Sequence, residues 1–481
     1  MKYISTRGQT EPVSFSQAVA HGLAPDGGLF LPEWLPDLSD CLAEWEGLSY
    51  VDLSLAFFRH FADDFEDETL RACIERAYEG FDHEKVAPLR KLEDTVFALE
   101  LYYGPTLAFK DFAMQLLGEF YAEQIRRTGE SITVLGATSG DTGAAAVHAL
   151  NRREGVRVFI LYPDGRVSPL QERQMTCAGG ENVHALAIDG SFDDAQRALK
   201  ALFQDDGFRD KHRLSAVNSI NICRILAQCV YYFYAYFQLP EDRRKNVEFV
   251  VPTGNFGNVL AGWMARRMGL PAASFKVATN HNDILFRFFR TGEYQVGEVK
   301  PSHAPSMDIQ IASNFERFLY YSTGEDPARV RAIMKQIRDE GRYEMEEFDP
   351  GCFRASRTTN EEIEQVMMSV YARFHYTVDP HTACGFMDII RNPQFNIVDM
   401  NLKPEDLATK EGLEKLTSPP PDAVTSIVIA TAHPAKFPEI VKRTIGRDVT
   451  APALDALGEK EPRKETLPAE EAAIREFIDR H

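Results

Sequence analysis

What constrains this chain most is an alternation that sets in after residue 88. Short apolar runs at 96–101, 132–135, 156–161, 183–188, 214–217, 247–251 and 274–278 are separated by amphipathic runs at 111–126, 142–153, 192–204, 222–237 and 259–268. Short apolar strands alternating with helices predict an α/β fold with mainly parallel sheets built from βαβ units. A doubly wound domain seldom runs to 481 residues, so more than one sheet is expected.

The flanks read differently. Residues 1–88 open on a turn-rich stretch, with Asp26, Gly27 and Gly28 ahead of aromatic helical patterns, and are expected to form an N-terminal domain. The span 89–438 holds the alternating region, interrupted over about 283–376 by a mostly helical, polar insertion. A Pro-rich linker at 416–422 precedes one more apolar run at 426–429, and 439–481 reads as a charged tail closing with a helix.

Lys and Arg total 53 against 72 Asp and Glu, a formal charge of -19. A chain this acidic lacks the electrostatic footprint of a nucleic-acid binder. An anionic ligand would need its own cluster of basic groups and amide dipoles. The first eight residues have no apolar run suited to a signal peptide, and the greasiest stretch, 225–237, falls short of the ~18–20 residues that span a bilayer. A soluble, cytoplasmic chain with no membrane partner is expected. Seven scattered cysteines without a C-x-x-C pair read as reduced thiols, neither a disulfide framework nor a metal site.

Three turns could carry chemistry, and each follows a strand-like run and opens a helix. The first, 104–112, puts Lys110 and Asp111 in a first helical turn. Asp suits the helix dipole there and Lys does not. Exposed first-turn charges are the plain alternative; burial at a strand's carboxyl edge would instead favour a neutral, nucleophilic Lys110. The second turn holds Thr138, Ser139, Gly140, Asp141, Thr142 and Gly143, more hydroxyls and glycines than one helix cap needs. In the third, Gly254, Asn255, Phe256, Gly257 and Asn258 can aim successive N–H groups into one concavity, although a bare Gly-Asn turn looks the same. There is no G-x-G-x-x-G, Walker loop or H-E-x-x-H, and Thr138 stands where a nucleophile elbow needs Ser.

In order and spacing these turns resemble the fold-type-II pyridoxal-phosphate (PLP) enzymes of the tryptophan synthase β-like kind. Asp141, Asn255 and Phe256 depart from the commoner residues in a way that resembles one branch, the threonine synthases. Segments 3–8, 25–30, 218–221, 278–283, 305–309, 313–317, 379–385 and 431–438 also look like counterparts of that family.

The resemblance implies two α/β lobes and the conversion of O-phospho-L-homoserine and water into L-threonine and phosphate, by γ-elimination and β-hydration. It implies that Lys110 carries PLP as a Schiff base and handles the Cα proton. The amides of Gly254, Asn255, Phe256, Gly257 and Asn258 would hold the cofactor phosphate, with Asp141 near the cofactor's 3-oxygen and the Thr382 hydroxyl facing its ring nitrogen, unless Thr382 merely caps the helix after Asp379 and Pro380. Thr138, Ser139 and Thr142 would meet the substrate carboxylate. Asn221 and Arg224 would also bind substrate, Arg224 either holding the leaving phosphate or pairing with a neighbouring carboxylate. The family's long-chain branch is usually monomeric. A hydroxyamino-acid dehydratase of the same fold type and a PLP-binding paralogue without turnover are the alternatives.

Overall fold

A computed structural model describes residues 1–138, 140–217, 219–391 and 423–481. The larger sheet runs, edge to edge, Phe353–Arg357, Ser274–Thr279, Val247–Pro252, Thr425–Ala430, Val96–Glu100 and Leu89–Glu93. All its pairings are parallel except the last. The smaller sheet runs Glu465–Pro468, Val183–Asp189, Val156–Pro163, Ile132–Ala137 and Leu214–Ala216, parallel throughout. Val96–Glu100, Val247–Pro252 and Thr425–Ala430 are buried at every position, as parallel strands covered on both faces must be.

The apolar runs of the sequence all become strands of these two sheets. Three further strands were not foreseen. Phe353–Arg357 lies within the stretch read as a helical insertion, Leu89–Glu93 pairs antiparallel with its neighbour, and Glu465–Pro468 comes from the tail. All three sit at sheet edges, where the ladder to one neighbour, not an apolar pattern, holds the strand. The 416–422 linker lies outside the described residues. All seven cysteines are free thiols. Among the described residues no helix is long and apolar enough to cross a membrane.

Two packing features place the loops that matter. The helix Lys110–Thr128 lies against the helix Asp141–Leu150 at Gly118, where a Cβ would stand 2.6 Å from the Ala149 carbonyl oxygen. Any larger residue would force these helices apart, and Lys110 with them. Second, the antiparallel ribbon of Tyr3–Ser5 and Phe30–Pro32 is tied to the body by the fully buried Arg317. Its guanidinium donates to the Phe30 carbonyl at 3.0 and 2.9 Å, to the Ile220 carbonyl and to Asn314 Oδ1 at 2.6 Å. Beside it, Glu316 accepts two bonds from Arg7 and one from Thr6.

Candidate active site

Five loops leave the carboxyl ends of parallel strands and converge, the usual place for a ligand in an open α/β sheet. They follow Val96–Glu100, Ile132–Ala137, Leu214–Ala216, Val247–Pro252 and Thr425–Ala430.

The first loop seats Lys110. Asp111 turns back and accepts from the Thr106 amide at 2.8 Å and its hydroxyl at 2.7 Å. Gly104 passes so close that a Cβ would lie 2.5 Å from Asp111 Cβ. The turn is thereby clamped, and Lys110 is not a loose surface charge: its side chain is 12% exposed. Burial lowers its pKa, Lys436 and Arg224 add to that, and Asp141 opposes without reversing it.

Asp141 is the hub. Its Oδ2 accepts from Lys110 Nζ at 3.1 Å and Ser306 Oγ at 3.2 Å, and its Oδ1 faces Lys436 Nζ at 2.9 Å and Gln171 Nε2 at 3.0 Å. Burial pushes this carboxyl up, but Lys110, Lys436 and His381 outweigh it and hold the group well below the usual carboxylate range. Around it, Thr138 Oγ1 accepts from the amides of Gly140 at 3.0 Å and Gly143 at 2.9 Å, which shapes the turn. Thr142 stands half-buried in the first turn of the following helix. Ser139 lies outside the described residues.

The third predicted turn is a cradle. Phe256 adopts a left-handed backbone (φ 64°) just ahead of the helix Gly257–Arg267, and its ring is buried against Phe289, Phe315, Phe318 and Phe353. A Cβ on Gly254 would lie 2.9 Å from the Ser306 carbonyl oxygen, and one on Gly257 3.2 Å from Asn314 Nδ2. Asn314 holds the Asn255 carbonyl from its own amide at 3.1 Å, so Arg317 links the N-terminal ribbon to this turn. Asn258 Oδ1 accepts from Tyr231 and Tyr232, while its Nδ2 is buried without a partner.

Arg224 is the least satisfied group here. It lies in the first turn of the helix Ile222–Gln238, 3% exposed, with Nε and Nη1 buried and unbonded, and among the described residues no carboxylate pairs with it. Burial lowers its pKa to about 10. Its charge acts on Lys110 and on Tyr231, whose hydroxyl bonds Asn258 of the cradle. A buried guanidinium left bare in this way marks a place for an anion.

Two of the expected residues have their side chains engaged within the protein. Asn221 does not offer its side chain to the cleft: Oδ1 caps the helix at the Cys223 amide (3.0 Å) and Nδ2 donates to the Val19 carbonyl (2.9 Å). Thr382 does not present a free hydroxyl: it donates to Asp379 and accepts from the Thr431 amide at 3.1 Å. Thr431 itself has a buried hydroxyl without a partner among the described residues, and its carbonyl holds the Phe109 amide at 2.9 Å, one residue before Lys110.

The sequence reading also gave no role to Lys436, Ser306, Gln171 or His381. Lys436 enters from the far end of the chain, fully buried, with its second bond to the Thr106 carbonyl at 2.8 Å. His381 donates from Nδ1 to Asp379 at 2.9 Å and accepts the Ser306 amide at 3.1 Å. Short motifs around these residues were visible, but no spacing rule links positions 141, 306 and 436.

The residues present fit PLP. Lys110 is shielded and shifted toward its neutral form, the Gly254–Gly257 turn leaves room only for backbone, and Arg224, Asn258 and Thr431 hold buried donors that nothing among the described residues satisfies.

Comparison with known proteins agrees along the whole chain. Residues 2–78 match the family model described as "Threonine synthase N terminus", 81–330 match "Pyridoxal-phosphate dependent enzyme", and 411–478 match "Threonine synthase, C-terminal". The threonine synthase of Pseudomonas aeruginosa is 41% identical, covering 100% of this chain and 98% of its own. Among solved structures, the PLP-bound threonine synthase from Brucella melitensis is 40% identical with a TM-score of 0.88, covering 100% of this chain and 99% of that one. The yeast enzyme is 36% identical with a TM-score of 0.86, covering 100% and 97%. With the clamped lysine, the glycine-turn cradle and the full-length match all on the same residues, the chain belongs to the threonine synthase family of PLP-dependent enzymes.

Proposed function

We propose that this protein converts O-phospho-L-homoserine and water into L-threonine and phosphate, with PLP held by Lys110. When bound, PLP supplies an electron sink for carbanions at the amino acid's carbon chain. The observation that carries the reading is the cleft's charge. Lys110 and Lys436 both pair with the Asp141 carboxylate and Arg224 adds its charge to Lys110, inside a chain of net charge -19, and Arg224 keeps two nitrogens bare.

The residues divide the work. Lys110, clamped by Asp111 and lowered in pKa, accepts and returns the proton at the substrate's Cα. The amides of Gly254, Asn255, Phe256, Gly257 and Asn258 and the helix N-terminus behind them favour the cofactor phosphate. Asp141, kept ionised, stands near the cofactor's 3-oxygen. Thr382 is the group for the ring nitrogen, with the neighbouring Thr431 hydroxyl, buried without a partner among the described residues, as the second reading. Thr138, Ser139 and Thr142 line the place of the substrate carboxylate; because the Thr138 oxygen already accepts two amides, its free contribution is its hydroxyl hydrogen. Arg224 presents a planar fork to the leaving phosphate.

Incubating the purified protein with O-phospho-L-homoserine should release threonine and phosphate in equal amounts. A 2-oxo acid and ammonia in place of threonine would instead indicate a dehydratase. A cytoplasmic, monomeric protein acting without nucleic acid or membrane accords with the family's long-chain branch, and sedimentation of the holoenzyme tests the monomer.

A further inference from the structure

Asp141 carries two lysines, and they are not equivalent. Lys110 approaches Oδ2 from the mouth of the cleft, 12% exposed. Lys436 approaches Oδ1 from inside, with no exposed surface and its ammonium also fixed on the Thr106 carbonyl. If Lys110 alone answered the carboxylate, its movement toward a substrate proton would leave a buried charge uncompensated, which protein interiors tolerate poorly. A neutral Lys110 amine has no charge to offer Asp141 at that moment, and it becomes a partner again on gaining the proton as an ammonium.

We propose that Lys436 is a positioning residue that keeps Asp141 ion-paired whenever Lys110 leaves it. The inference rests on the reading of Lys110 as the acting amine. The geometry suits the role: the short turn Pro434–Lys436 follows the central strand Thr425–Ala430, so the ammonium is anchored to the sheet. It also braces the Lys110 turn at Thr106, the residue that Asp111 clamps.

The electrostatic consequence has a definite sign. Lys110 feels Asp141, Lys436 and Arg224; Asp141 feels Lys110, Lys436 and His381; Asp111 and His433 also lie in the field of Lys436. Removing Lys436 takes away a cation that disfavours charge on Lys110 and leaves Asp141 undivided, so the Lys110 nitrogen keeps its proton to higher pH.

The test compares holoenzymes of wild type, Lys436→Met, Asp141→Asn and the double variant, by pH titration of the cofactor's visible absorbance and by kcat. Lys436→Met should raise the titration midpoint by at least about one pH unit and lower kcat at least about tenfold. On the Asp141→Asn background the same change should have little further effect, because no charge remains to be balanced. An unmoved midpoint, or an equal loss on both backgrounds, would overturn the proposal and leave Lys436 a tether for Thr106. If Lys436→Met does not fold, folding of the double variant supports the proposal and failure of both overturns it. Borohydride mapping separates the two readings. An adduct on Lys110 with an unmoved midpoint sinks the role of Lys436 alone, whereas an adduct on another lysine sinks both.

Discussion

The Lys110 and Arg224 sides of the cleft treat their polar groups in opposite ways. Around Lys110 the charged groups are all answered: Asp141 meets four donors, Asp111 is matched to Thr106, and Lys436 has both an anion and a carbonyl. Around Arg224 the network is open, with two guanidinium nitrogens and the Asn258 amide buried and unanswered. The closed side is organised before any ligand arrives, as a proton-handling group must be. The open side carries a standing cost that an anion removes. Preorganisation and ligand dependence are thus divided between neighbouring helices.

The largest expected effect tests the closed side. Lys110→Ala should abolish threonine formation and the visible absorbance of the bound cofactor together. Borohydride reduction of the wild type, followed by peptide mapping, should place the pyridoxyl group on Lys110; recovery on a different lysine removes it from the site.

Next comes the open side. Arg224→Lys keeps a charge but loses the fork, and turnover should fall by about 10²–10³, as for loss of a fixed transition-state donor. The cofactor's spectrum should stay as in the wild type, since the Gly254–Asn258 backbone holds its phosphate. Near-normal steady-state kinetics would take Arg224 out of the reaction.

The same residue sharpens the contrast through stability. Burial brings its pKa down to about 10, so the folded state disfavours the charged form by roughly 3 kcal/mol. The folded pKa lies below the unfolded one, so this cost is fully present below about pH 10 and is relieved only above it. Arg224→Met should therefore stabilise the cofactor-free protein by about 1–3 kcal/mol, equally at pH 6 and pH 9, while destroying activity. In the holoenzymes, whose cradle is filled, inorganic phosphate should raise the wild-type Tm and not that of the variant. Equal shifts in both would mean that phosphate binds elsewhere.

The smallest effect separates two threonines. Thr382→Val should weaken cofactor binding and alter its spectrum, and should cost stability, about 1 kcal/mol, by breaking the bonds to Asp379 and the Thr431 amide. Thr431→Val should leave affinity, spectrum and Tm with little change. Reversal of that pattern in a spectral titration would give the ring nitrogen to Thr431.

Central strands could be read from sequence because burial on both faces demands continuous apolar residues. Edge strands such as Phe353–Arg357, with polar residues at alternate positions, carry no such mark. Lys110, Asp141 and the Gly254–Asn258 turn were legible because each is a local strand–turn–helix device. Lys436 and Thr431 were not given roles, because their function exists only where the Thr425–Ala430 strand inserts between distant neighbours. The Thr382 hydroxyl was legible as a candidate, but the bond it gives Asp379 was not singled out.

That inserted strand also bears on how the protein is made. Thr425–Ala430 is the last of the larger sheet's strands to be synthesised, yet it lies between Val247–Pro252 and Val96–Glu100. While the ribosome works from one end of this sheet to the other, on the order of tens of seconds, the growing chain carries two interior strand edges with nothing beside them. Unpaired edges of this kind invite pairing with other chains. The seat of Lys110 waits as well, since the Phe109 amide is held by the Thr431 carbonyl and the Leu107 carbonyl by the His433 amide. A chain interrupted before this strand would thus yield no weakly active fragment, since the seat of Lys110 is completed only when this strand is in place.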